Sequence, residues 1–247
     1  MAENAGQPDH SAARREQLAS NLARIRARIL EAARAAGRSD QPELIVVTKF
    51  HPADDVRVLA ELDVTDVGES RDQEASIKAA ELASLGLTWH FIGQLQTNKA
   101  KSVIRYADVV HSVDRASLVA ALAKAVAGEP SRAGRPPLAC LVQVNLDPQA
   151  ESGRGGALPG EVLGLADLIG SSEGLRLAGV MAVAPRGGEP RRAFARLAEC
   201  SALLRGEHPE ATMVSAGMSQ DLEEAIEAGA THVRIGTDVL GPRPRVL

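Results

Sequence analysis

Five lysines stand among the 28 basic residues: Lys49, Lys78, Lys99, Lys101 and Lys124. Arginine serves wherever a generic positive charge suffices, so a lysine in an enclosed position is informative. Its amine can shed a proton and act as a nucleophile, which a guanidinium cannot do. Lys49 closes the β-branched run Glu43-Leu-Ile-Val-Val-Thr-Lys49. Two later segments carry groups suited to an anion. In Val214-Ser-Ala-Gly-Met-Ser-Gln-Asp221 a glycine-bearing turn leads to Ser219 at an expected helix start, where unpaired N–H groups and a hydroxyl attract negative charge. In Val233-Arg-Ile-Gly-Thr237, Gly236 lets the backbone approach a phosphate closely, with N–H donors at Gly236 and Thr237. Each residue also has a plain structural reading: a solvated strand-end lysine, a helix N-cap and a loop glycine.

These segments can meet only in a particular architecture. Apolar residues Leu18, Leu22, Ile25, Ile29 and Ala33 recur at three- and four-residue steps, which predicts a long amphipathic helix from Ser11 to Ala36. After it the chain alternates. Strands are expected at 43–49, 64–68, 88–92, 109–112, 138–145, 175–182, 211–215 and 231–235. Helices fall between them at 53–62, 72–84, after Asn98, 115–126 with Asp114 as N-cap, 161–170, 189–205 and 220–228. Gly/Pro-rich loops are expected at 128–137 and 148–160. Eight strands in strict alternation within 247 residues predict an α/β fold, a single (β/α)8 TIM barrel with an extra N-terminal helix. Residues 1–10 read as a flexible N-terminus and 11–247 as one domain. An open doubly wound sheet is the alternative, but neither G-x-G-x-x-G nor a P-loop follows the first strand. Barrel closure sets strand 1 beside strand 8, so Lys49 faces the anion-binding turns at the C-terminal end. With no metal-ligand cluster in view, that arrangement suits a phosphorylated aldehyde held as a lysine Schiff base, and pyridoxal 5′-phosphate (PLP) leads that class.

Composition excludes other classes. A net charge of −4 and five aromatic residues, Phe50, Trp89, Phe91, Tyr106 and Phe194, argue against a nucleic-acid partner. No apolar stretch approaches the roughly 20 residues of a membrane span, and MAENAGQPDH lacks the pattern of a secretory signal. A cytoplasmic location and a monomer are expected. Cys140 and Cys200 show no disulfide or zinc spacing and read as buried small residues.

The segments VVTK (46–49), HFIGQLQTNK (90–99), QVN (143–145), GVMAVAP (179–185), SAGMSQDLEEAIEAGATHVRIGT (215–237) and the terminal LGPR closely resemble the YggS/PROSC family of PLP homeostasis proteins. The resemblance covers nearly the whole chain after residue 40. It implies a barrel similar to the N-terminal barrel of alanine racemase, without a second β-domain. It makes Lys49 the Schiff-base lysine, gives Ser219, Gly236 and Thr237 the phosphate, and brings Met218 alongside. Arg234 faces the pyridine nitrogen in this reading, where a permanent positive charge keeps that nitrogen unprotonated and weakens the electron sink; its alternative is a salt bridge at the barrel rim. His90 and Asn98 fall on the cofactor side by resemblance, whereas spacing alone makes them a packed histidine and a helix N-cap. Ser70 stands where many relatives have asparagine. The loop Glu151-Ser-Gly-Arg154 and the arginine-only tail lack the further lysines that relatives often show.

The implied function is non-catalytic: a carrier or buffer of PLP in vitamin B6 homeostasis, with PLP-dependent apoenzymes as possible recipients. The alternative is a PLP-dependent amino-acid racemase, which needs a second base on the opposite cofactor face. The sole tyrosine, Tyr106, lies in an expected helix on the third connection, and no second base is evident. A hydrolase lacks a G-x-S-x-G elbow.

Overall fold

The computed structural model describes residues 10–147, 155–185 and 187–243. Its strands are β1 Glu43–Val47, β2 Asp66–Glu69, β3 Thr88–Phe91, β4 Val109–Val113, β5 Leu138–Gln143, β6 Leu175–Met181, β7 Met213–Ser215 and β8 His232–Ile235. They are parallel and close into an eight-stranded barrel in chain order, with Ile45 beside Arg234 and Val46 beside Ile235 at the β1–β8 closure. The helices are α1 His10–Ala35, α2 Ala53–Glu61, α3 Asp72–Glu81, α4 Ala100–Tyr106, α5 Ala116–Ala127, α6 Val162–Gly170, α7 Pro190–Glu207, α8 Leu222–Glu227 and α9 Thr237–Leu240. The expected (β/α)8 barrel with an added N-terminal helix is therefore present.

The 26 residues of α1 form one helix because its apolar stripe has somewhere to go. Leu18, Leu22, Ile25 and Ile29 are fully buried, packed toward α2, α8 and α9. Arginines fasten its edges. Arg14 pairs with Asp55 and donates to the Leu240 carbonyl, and Arg28 forks onto Glu223 and donates to the Ser219 carbonyl.

Two cores result. The larger lies between sheet and helices. The smaller fills one side of the barrel interior with Val109, Ala139, Leu141, Ala178 and Met181. The other side of the interior is polar and holds His90, His111, Ser215 and Arg234, all buried.

Several local expectations change. The first strand ends at Val47, because the chain turns at Phe50, whose φ is +69°. Asp114 does not cap α5; Arg115 occupies that position and its Nη1 donates to Asp114 Oδ1 at 2.5 Å. Pro130–Arg132 forms a 3-10 turn within the expected loop. Helix α9, absent from the sequence reading, begins at Thr237. Of the expected tail at 1–10, residues 1–9 lie outside the described residues and His10 opens α1; the first part of the 148–160 loop also lies outside them, and from Gly155 that connection returns, with Ala157 bridging to Val144. No helix among the described residues is long and apolar enough to cross a membrane.

Candidate functional site

Lys49 is half-buried just beyond β1, and its neighbours hold the backbone on both sides. Before it, the Thr48 hydroxyl donates to Glu69 Oε1 at 2.7 Å, and the Thr48 carbonyl accepts from Lys78 Nζ at 2.9 Å. After it, the Phe50 N–H donates to Glu74 Oε1 at 2.5 Å. Lys78 ties the two sides together by donating to Glu69 Oε1 at 2.8 Å and Glu74 Oε1 at 2.6 Å. Phe50 is thereby kept in a left-handed conformation that bulky residues rarely adopt, at a cost of about 1–2 kcal/mol. Its ring lies under two guanidinium groups, Arg71 at 5.1 Å and Arg243 at 4.5 Å. Burial, with the Arg243 charge, pulls the Lys49 amine below the usual lysine range against the opposing pull of Glu69 and Glu74. A larger share of neutral amine makes Lys49 a better nucleophile.

On the adjoining strand, Arg234 is 4% exposed. Its Nη1 donates to Ser215 Oγ at 2.6 Å and its Nη2 to the Ala182 carbonyl at 2.8 Å. The rim salt bridge considered from the sequence is not among its contacts in the described residues. Burial lowers the guanidinium to about 10, with Asp221 opposing the fall. A guanidinium has five N–H donors, so donors remain for a ligand.

Ser219 lies in the turn before α8 rather than at its first residue. The helix begins at Leu222, and Asp221 Oδ1 accepts the Met218 N–H at 2.6 Å. Met218 is exposed and Ser219 half-buried, held from behind by Arg28. Within the described residues the N–H groups of Ser219, Gln220, Thr237 and Asp238 meet no backbone acceptor. Gly217, at φ +90°, has no room for a side chain, since a Cβ would sit 2.7 Å from Ala225 Cβ. Gly236 has a packing reason as well: a Cβ there would lie 3.2 Å from the Val47 carbonyl oxygen.

The remaining expected site residues are more scattered. Ser70, half-buried after β2, packs against Gly93, where a Cβ would come within 2.6 Å of the Ser70 carbonyl oxygen. His90 is 3% exposed in the barrel interior, with Nε2 at 2.8 Å from Asp66 Oδ1 and Nδ1 at 2.8 Å from His111 Nε2. Asn98 is exposed within a 3-10 turn and lines a depression with Asp72, Ser76 and Lys101 between α3 and α4. It caps neither that turn nor α4. Tyr106 is buried in α4, its hydroxyl 3.5 Å from Asp72 Oδ1, and burial raises its pKa. A cavity of about 420 Å³ opens beside Arg234's partner Ala182, lined by Gln94, Gln143, Asn145 and Val183 to Pro185.

Sequence reasoning did not find Lys78, Ser215, His111 or the turn at Phe50. Only Lys78 carried a signal, its spacing of four residues from Glu74 on one helix face. No cluster of His, Cys, Asp and Glu able to hold a metal occurs among the described residues.

The eight parallel strands close into a barrel, and the family model described as alanine racemase, N-terminal domain, matches residues 20–244 of this chain. A pyridoxal phosphate homeostasis protein of Mycobacterium tuberculosis is 44% identical across 93% of this chain and 94% of its own length. One of Pseudomonas aeruginosa is 42% identical across 92% and 96%. The chain belongs to the pyridoxal phosphate homeostasis protein family. Among solved structures, PipY of Synechococcus elongatus with PLP bound is 32% identical, with a TM-score of 0.76 over 91% of this chain and 100% of that one. Alanine racemase of Corynebacterium glutamicum is 15% identical, with a TM-score of 0.61 over 91% of this chain and 60% of its own, a likeness of fold alone.

Proposed function

We propose that this protein binds PLP covalently through Lys49 and serves as a carrier or buffer of that cofactor in vitamin B6 homeostasis, without catalytic turnover. The observation that carries the reading is a pairing at one barrel closure: a half-buried amine just beyond β1, and on the next strand a buried guanidinium whose contacts are a hydroxyl and a carbonyl. A buried cation without a carboxylate contact is costly unless a ligand supplies electron density. PLP fits such a donor set, bringing an aldehyde that reacts with amines, a ring nitrogen lone pair and a dianionic phosphate.

In this reading the N–H groups of Ser219, Gln220, Thr237 and Asp238, with the Ser219 hydroxyl, hold the phosphate. Gly236 keeps β8 close against β1, and Met218 and Ser70 border the ring. Arg234 donates toward the pyridine nitrogen and, as a fixed cation, opposes its protonation, which weakens carbanion stabilisation. Tyr106 is packed beside Asp72 under α3 and α4, which favours a carrier over a two-base racemase. His90 acts from below the mouth, and Asn98 from the outer surface has no part in the contact. PLP-dependent apoenzymes are the recipients.

The test is to add PLP to the purified protein, record its visible band, reduce with borohydride and map the modified residue. The label is expected on Lys49 and is lost in Lys49→Ala with the far-UV circular dichroism unchanged. Label on another of the five lysines would overturn the assignment. Reactivation of an apoenzyme by the loaded protein, with no racemisation of amino acids, is the outcome expected of a carrier.

A further inference from the structure

The polar side of the barrel interior is one hydrogen-bonded chain crossing five strands. Arg234 Nη1 lies 2.6 Å from Ser215 Oγ, Ser215 Oγ lies 3.0 Å from His111 Nδ1, His111 Nε2 lies 2.8 Å from His90 Nδ1, and His90 Nε2 lies 2.8 Å from Asp66 Oδ1. The two imidazoles meet edge to face, with ring centres 5.1 Å apart.

The ends of the chain determine its direction. A guanidinium can only donate, and a carboxylate can only accept. Ser215 therefore accepts from Arg234 and has its own proton to give to His111 Nδ1. His111 then carries its proton on Nε2 and gives it to His90 Nδ1, and His90 gives its Nε2 proton to Asp66. Every donor finds an acceptor, and both imidazoles are neutral. A chain pointing the other way needs an extra proton on His90, a buried imidazolium beside His111 and near His232 with Asp66 as its carboxylate contact. It also makes Ser215 accept from both sides and strands its own proton in a dry interior. Burial, with the Arg234 charge, holds His111 well below the usual histidine range, in keeping with a neutral ring there.

We infer that Ser215, His111, His90 and Asp66 are positioning residues for Arg234: a one-way relay of neutral, Nε2-protonated histidines that fixes the guanidinium at the barrel mouth. The hydroxyl at 215 is the critical link. It holds Nη1 without supplying a negative charge, so the guanidinium keeps its full charge for a ligand, while the nearest carboxylate of the relay stands four links away at Asp66. Asp221 is the other acidic group facing Arg234 and acts on it through space rather than by contact. The consequence for the ligand rests on the proposed contact between Arg234 and the PLP ring nitrogen; the relay itself does not.

Two measurements separate those levels. In the protein without cofactor, long-range ¹H–¹⁵N correlation of the histidine side chains at neutral pH is expected to show His90 and His111 protonated on Nε2 alone. A proton on Nδ1 of either ring would overturn the relay. In the PLP-loaded protein, Ser215→Ala releases Arg234 Nη1 and leaves the guanidinium held through Nη2 alone, and the pH midpoint of the visible band is expected to move upward by more than about half a unit, since a ring nitrogen less closely faced by a cation protonates more readily. Ser215→Thr, which keeps the hydroxyl, is expected to restore the wild-type midpoint. An unchanged midpoint in Ser215→Ala would refute the positioning role. Failure of the wild-type protein to load PLP would refute the proposed function and leave the histidine measurement standing.

Discussion

Replacing Lys78 by methionine tests whether the mouth depends on the ionic cluster behind it. Lys78 is 5% exposed, and its Nζ makes three hydrogen bonds, to the Thr48 carbonyl, Glu69 Oε1 and Glu74 Oε1. Glu69 is fully buried, and its Oε2 already lacks a partner. Without Lys78 it retains only the Thr48 hydroxyl. Removing one member of a buried ion pair costs about 3–5 kcal/mol. Glu74, with a side chain 21% exposed, regains water, which favours the lower end of that range. About 3 kcal/mol corresponds to a fall of roughly 6–12 °C in Tm for a chain of this size. The loss depends on pH in a definite sense. Burial already raises the Glu69 carboxyl above the usual range, against the pull of Lys78; without Lys78 it rises further. A protonated Glu69 tolerates burial, so the loss is largest at pH 8 and shrinks as pH falls through the raised folded-state value. Urea unfolding of the wild type, Lys78→Met, Glu69→Gln and the double variant at both pH 8 and pH 5.5 measures this. The double variant is expected to recover most of the loss. Equal losses at the two pH values, or simple addition of the single effects, would refute the reasoning.

Two further outcomes follow from the same packing. Burial lowers the His232 imidazole from 6.5 to about 4, with His90 adding to the fall and Asp66 opposing it. The unfolded chain takes up that proton first, so the contribution is complete above the unfolded value of 6.5 and is lost as pH falls toward 4, on the order of 3 kcal/mol in full. His232→Gln is expected to flatten that part of the acid dependence of the urea midpoint. Gly179, at φ +148°, lies so close to β7 that a Cβ would sit 1.9 Å from the Met213 carbonyl oxygen. Gly179→Ala is expected to cost more than about 4 kcal/mol, whereas Gly37→Ala, at φ +67° with open space around it, costs about 1 kcal/mol; thermal midpoints of the two variants check the contrast.

The architecture was legible because most strands carry an apolar run and the longer helices a three-to-four periodicity, patterns that local sequence holds, whereas the four-residue α9 is too short to show one. Lys49 stood out for the same reason, as the polar end of such a run. The relay was not legible. Asp66, His90, His111, Ser215 and Arg234 come from five different strands, and only the register of a closed barrel brings them into line. Spacing correctly made His90 a packed, hydrogen-bonded residue but could not supply His111 as its partner. The Glu74–Lys78 spacing was visible, yet burial of that pair against Thr48 and Glu69 depends on how α3 lies over β1 and β2. Ser219 was expected at a helix start; Asp221 instead takes the Met218 N–H and postpones the helix to Leu222.

Helix α1 has a consequence for the order in which the molecule is made. Its Arg14 reaches the Leu240 carbonyl, 226 residues later in the chain, and its Arg28 reaches the Ser219 carbonyl, 191 residues later. Such distant closures are slow, because the loop entropy is lost before any contact repays it. During synthesis the stripe of Leu18, Leu22, Ile25 and Ile29 therefore emerges long before α8 and α9 exist to cover it. The turn bearing Ser219 gains its bond from Arg28 only when the first helix meets the last two, so this support of the barrel mouth arrives with the same event that shields its earliest hydrophobic surface.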